Sequence, residues 1–103
     1  TNPKSKFEVT SSFSTRAITT TTDLTLTGDH QVIIVSSATA RTITLPAASL
    51  CTGRNYTIVG RQAGHTTNSN YLDFAGANSN LIPAAGRITI ISDGTRWLLI
   101  GLN

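Results

Sequence analysis

Acidic side chains are scarce in this sequence: five in 103 residues, Glu8, Asp23, Asp29, Asp73 and Asp93. Three of them stand where turns or strand entries are expected, and Asp73, between Leu72 and Phe74, reads as an outward strand position. Little is left for general acid–base work. A single cysteine, Cys51, excludes an intrachain disulfide, leaves the redox compartment open and reads as a buried thiol. His30 and His65 lie far apart and belong to no metal-ligand spacing. No nucleophile elbow, phosphate-cradling glycine loop or dinucleotide fingerprint is present, so no enzyme activity, metal or cofactor is expected. Charged residues make up only 13% of the chain, and the net charge of +3 reflects missing acids rather than a basic cluster. Lys4 and Lys6 have no basic helix behind them, so no nucleic-acid partner is expected. No apolar run reaches membrane-spanning length, no signal-peptide layout opens the chain, and no membrane insertion is expected.

What fills the sequence instead is threonine, serine and asparagine among a modest 39% of hydrophobic residues. Long amphipathic helices carry Glu, Lys, Arg and Ala on their wet side, whereas strands tolerate hydroxyl-rich outer faces. The chain therefore reads as all-β and as one domain. Residues 1–22 form a polar arm, neck or shaft end, with a short strand expected around Phe7 and Val9 and an extended connector at 19–22. From Asp23 the texture changes. Leu24 and Leu26 alternate with threonines, and Val32-Ile33-Ile34-Val35 is a continuous apolar run, as expected of a strand covered on both faces. Arg41-Thr42-Ile43-Thr44-Leu45 alternates up to Pro46, residues 47–51 make a helical turn ended by Gly53, and Asn55-Tyr56-Thr57-Ile58-Val59 alternates again. Tyr71-Leu72-Asp73-Phe74 is a further strand, 76–80 a turn and Leu81-Ile82-Pro83 a brief edge. The total is about eight to ten short strands with turns every 8 to 12 residues or so, the pattern of an antiparallel β-sandwich over 23–103. Arg41-Thr42-Ile43-Thr44-Leu45 resembles Arg87-Ile88-Thr89-Ile90-Ile91, but strand chemistry accounts for this, and no solenoid repeat is read from it.

In sequence terms the chain is organised around its last hairpin. Residues 86–92 and 95–100 flank Asp93-Gly94, a pair suited to a two-residue type I′ turn. That turn sets Ile90 opposite Trp97 and Ile88 opposite Leu99. Alternation then gives Ile88, Ile90, Trp97 and Leu99 a core face. Arg87, Thr89, Ile91, Arg96, Leu98 and Ile100 share the other face, too apolar for free solvent, and cover by another copy of the chain is expected. Ile91, Leu98 and Ile100 are the candidate subunit contacts. For ligand binding, the polar stretch 61–70 reads as the largest exposed loop. With Tyr71 it offers Arg61, His65, Asn68, Asn70 and Tyr71, groups that hydrogen-bond and stack on sugars. A solvated loop shaped only by turn geometry is the competing reading.

The succession "TLTGDHQVIIVSSATARTITLPAAS", "GRNYTIVGR", a variable polar stretch and "ITIISDGTRWLLIG" resembles a domain of tail-fibre and fibre-head proteins of bacteriophages and other large DNA viruses. The elements that carry the resemblance are Val32 to Val35, Ile43-Thr44-Leu45-Pro46, Gly53-Arg54 before Tyr56-Thr57-Ile58, and Ser92-Asp93-Gly94 followed by Trp97. The resemblance implies a β-sandwich head that assembles as a homotrimer on a virion fibre, exposed to the extracellular medium. It also implies attachment of the particle to a host cell-surface receptor, a glycan or a protein. It transfers no catalytic or binding residue. A purely structural trimerisation or capping domain, and a carbohydrate-binding module of a larger enzyme, remain as alternatives.

Overall fold

The computed structural model describes residues 16–102, so the strand expected around Phe7 and Val9 lies outside the described residues. Nine strands form one mixed sheet: β1 (Ala17–Thr20), β2 (Leu24–Thr25), β3 (Val32–Val35), β4 (Thr42–Thr44), β5 (Asn55–Gly60), β6 (Thr66–Leu72), β7 (Asn78–Leu81), β8 (Gly86–Ser92) and β9 (Trp97–Leu102). One 3₁₀ turn, Ala48–Leu50, stands where a helical turn is expected. No helix among the described residues is long and apolar enough to cross a membrane. The fold is all-β, with strands within the expected number.

The topology departs from an antiparallel sandwich. Strands β1, β3 and β5 stack in parallel, as do β2, β4 and β6, and the chain alternates between the two stacks. Only β5–β8, β6–β7 and β8–β9 are antiparallel. The chain thus winds through three solenoid-like rungs before the terminal hairpin bridges the stacks, β8 pairing with β5 and β9 with β6. The sequence hides these rungs because their spacing is uneven. Partnered positions recur after 15 residues (17 to 32) and 25 (32 to 57) in one stack, and after 19 (24 to 43) and 24 (43 to 67) in the other. Strand β1 also places Ala17–Thr20 in the sheet, inside the stretch read as an arm.

One core lies within this wrapped sheet, built from Ile33, Val35, Ile43, Tyr56, Ile58, Tyr71, Ile82, Ile88, Ile90, Trp97 and Leu99 with Leu26 and Leu45. Tyr56 and Trp97 pack with ring centroids 5.5 Å apart and planes tilted by 38°, an arrangement that adds to simple area burial. Trp97 Nε1 donates to the Pro46 carbonyl at 3.0 Å, so the indole is buried with its polar atom satisfied. Tyr56 does the same, its hydroxyl donating to the Thr27 carbonyl at 2.9 Å, and burial pushes its phenol up, which keeps the donor proton in place. Cys51 is buried, its thiol donating to the Ala47 carbonyl.

The hairpin keeps its expected faces but not its expected turn. Ser92 pairs with Trp97, Ile91 with Leu98 and Ile90 with Leu99. The loop therefore spans four residues, 93–96, and Asp93 lacks the positive φ of a type I′ turn. The cause is the Asp93 carboxylate, whose Oδ1 accepts the N–H groups of Thr95 at 2.8 Å and Arg96 at 2.9 Å and closes an Asx-type turn. Gly94 supplies the left-handed residue, φ 95°. A Cβ there would also approach Thr52 Oγ1 to 2.8 Å. Because the register moves by two positions, every side chain keeps its face. Farther along, Thr89 pairs with Gly101, leaving Ile100 as the extra residue of a bulge.

Candidate functional site

The five residues expected to share a polar loop are divided by the fold. Only residues 61–65 form a turn, and from Thr66 the chain is strand β6. His65 and Tyr71 are buried, which corrects their placement on an exposed loop. The reason is strand alternation: Thr67 and Tyr71 point into the core. His65 Nδ1 accepts the Arg41 N–H at 3.0 Å, which pins the β3–β4 connection to the start of β6. With Nδ1 accepting, the ring proton sits on Nε2, a buried atom with no hydrogen-bond partner. The Tyr71 hydroxyl donates to the Leu81 carbonyl and closes the β6–β7 hairpin. Asp73 is likewise a turn residue rather than an outward strand residue. Its Oδ1 accepts the N–H groups of Ala75 and Ala77, both at 2.9 Å, so the turn falls at 73–77 and residues 78–81 are strand.

Asn68 and Asn70 stay exposed and mark a real concavity. Strand β4 pairs with β6 at Thr66 and Thr67, and β9 pairs with it at Tyr71 and Leu72. Between those ladders Asn68, Ser69 and Asn70 have no strand partner. The chain leaves β4 there through Leu45 and Pro46, whose ring nitrogen has no proton for a ladder. Asn68 Oδ1 takes the Leu45 N–H at 2.7 Å and fixes the departure. The result is a groove of about 450 Å³ with Asn68, Ser69 and Asn70 on one side, Leu45 to Ala48 on the other and Thr95, Arg96 and the edge of Trp97 at its end. Its amides, hydroxyls and guanidinium suit hydrogen bonding to a polar ligand. Stacking is another matter: Tyr56, Tyr71 and Trp97 are all buried, and the exposed aromatic among the described residues is Phe74, on the turn after β6.

Arg61 lies elsewhere, beside Arg87 at the far end of the β5–β8 ladder. No family model, curated protein or solved structure matches this chain. Its site is therefore argued from its own geometry.

The hairpin's second face is a separate feature of the sheet. Ile91 and Leu98 are half-buried cross-strand partners, and Leu72 sits beside Leu98 on β6, so three aliphatic side chains form a row across the outside of the sheet. Val32, Ile34 and Val59 are half-buried on the same outer face, the last two paired across β3 and β5. Within the single chain the run Val32 to Val35 is thus covered on one face only, alternating half-buried and buried. Ile100 is 52% exposed at the bulge. The Thr57 and Thr89 hydroxyls, 3.1 Å apart, form the one side-chain hydrogen bond that ties β5 to β8 across this face among the described residues. Arg87, Arg96 and Ser69 are potential contacts that the sequence alone does not single out. The signal for Arg87 is the repeated Gly-Arg of Gly60-Arg61 and Gly86-Arg87, whose glycines are strand partners.

Proposed function

We propose that this chain is the head domain of a virion fibre, which assembles as a homotrimer and attaches the particle to a receptor on the host cell surface. The observation that carries the reading is the outer aliphatic face: Ile91, Leu98 and Leu72 in a row, with Val59, Ile34 and Val32 beyond. Rows of aliphatic side chains on the outer face of a single chain are the kind of feature that marks an association surface. The occupant is further copies of the chain. Strands β3, β5, β6, β8 and β9 carry no acidic residue, and Arg61 and Arg87 stand at the margin of the face, so it offers largely uncharged surface with hydroxyl rows, as the core of a self-interface does. The resemblance of the motif order to that of fibre heads is what favours three copies over two. The groove beside Asn68–Asn70 is the polar surface offered to a receptor.

Light scattering tests the assembly: a mass three times the 10.9 kDa of one chain is expected, and a monomer at micromolar concentration overturns it. Attachment is tested separately, by competition of the isolated domain with virus adsorption. The burial of all three candidate stacking aromatics favours one second reading, a structural trimerising cap that binds no receptor. A trimer that fails to compete for adsorption selects that reading.

A further inference from the structure

We infer that Arg61 and Arg87 form a site for an acidic saccharide, gripping its carboxylate or sulfate group. Strand pairing sets Val59 opposite Arg87 and Gly60 opposite Gly86, so Arg61, one residue beyond Gly60, lies diagonally across from Arg87. Side chains as long as arginine meet over such a diagonal. The two residues line one cleft of about 500 Å³ with Val59, Gly60, Ala85 and Gly86. That volume is far larger than a bare ion needs and falls in the range of small-ligand sites. Gly60 and Gly86 are strand partners in its lining.

Two features hold this shape and a third sets its charge. A Cβ on Gly60 would come within 2.5 Å of the Pro83 carbonyl oxygen, so the loop before β8 closes on a position that takes no side chain. Ala85, a non-glycine at φ 53°, turns the chain into β8 at the cleft's rim. Left-handed backbone at such a residue costs about 1 kcal/mol, a strain that is met most often at binding and switch sites. None of the residues lining the cleft is acidic, so the two like charges are not compensated within it. An oxyanion bridging both guanidiniums removes that repulsion and accepts paired N–H donors in the fork geometry that arginine presents. The inference rests on the attachment reading only in taking a saccharide as the bearer of the anion.

The test is an NMR titration of the full chain with three probes: a uronate oligosaccharide, a sulfated oligosaccharide and inorganic sulfate. Binding of either saccharide is expected to shift the amides of Gly60, Ala85 and Gly86 and to weaken with added salt. In R61Q/R87Q the affinity should fall at least about tenfold, two Arg–oxyanion contacts being worth more than 1.4 kcal/mol together. R16Q, which removes an exposed cation ahead of β1 and outside the cleft, should keep it. Both variants change exposed side chains, and unchanged amide dispersion elsewhere confirms their fold. The inference is overturned if neither saccharide binds, if only inorganic sulfate does, or if R61Q/R87Q and R16Q lose affinity alike. Because the readout is binding by this chain, it is independent of the trimer mass and of adsorption competition.

Discussion

The two faces of the β5–β8–β9 sheet use similar residues to different ends. Inside, Tyr56, Ile58, Ile88, Ile90, Trp97 and Leu99 are none more than 8% exposed, and each buried polar atom of Tyr56 and Trp97 meets a backbone carbonyl. Outside, aliphatic and hydroxyl rows alternate: Ile91–Leu98–Leu72, then Thr57–Thr89, then Val59 with Arg87. The inner face is complete within one chain. The outer face is the one proposed to be covered by another chain, and its threonines keep the uncovered sheet from being uniformly apolar. The core and the proposed assembly surface thus lie on opposite sides of the same strands.

The sharpest way to break that division is on the inner face. Trp97→Ala removes the largest core side chain of the hairpin, its contact with Tyr56 and the donor to Pro46, and is expected to destabilise by about 3–5 kcal/mol. Urea unfolding measures it, and a loss below about 1 kcal/mol would mean that the hairpin does not carry the core. On the outer face the double variant Ile91→Arg/Leu98→Arg should leave the single chain's stability within about 1 kcal/mol, as for surface positions. Its scattering mass should nevertheless fall to that of one chain, and its melting temperature should lose any dependence on concentration. An unchanged mass would move the interface off this face.

The smallest effect is at the turn that joins the faces. The N–H groups of Arg96 and then Thr95 donate to the Asp93 carboxylate and hold its pKa below the ordinary aspartate value. A carboxyl with a lowered folded-state pKa contributes stability above its unfolded pKa of about 3.9. That contribution fades as pH falls through the folded value. Asp93→Asn should therefore be slightly less stable than the parent at pH 7 and converge on it at pH 2. Parallel melting curves that never converge would assign the turn's stability to something other than this carboxylate.

How much of this was legible in the chain varies by element. The inward set Ile88, Ile90, Trp97 and Leu99 was readable although the turn was misjudged, because the error moved the register by two and strand parity has a period of two. The 3₁₀ turn at Ala48–Leu50 and the positive φ of Gly53 followed from local chemistry. Parallel stacking was not readable. Alternating apolar residues look the same whether the neighbouring strand runs with them or against them, and the uneven rung lengths leave no period to detect. The candidate loop failed for a related reason: Thr66 to Tyr71 is polar by composition, yet two of its side chains, Thr67 and Tyr71, face inward and Asn68, Ser69 and Asn70 line a gap between ladders. The cleft of Arg61 and Arg87 depends on a pairing between residues 26 positions apart (61 and 87), which no local pattern records.

The sequence by itself determined that the chain is all-β, which hairpin residues face its core and that the hairpin has a second, half-apolar side, because composition and alternation act over a few residues. Tertiary structure alone decided that the strands stack in parallel rungs, that His65 and Tyr71 are core residues, and that Asn68 to Asn70 and the two arginines line separate concavities. These depend on which distant strands share hydrogen bonds, a choice made by the whole core at once.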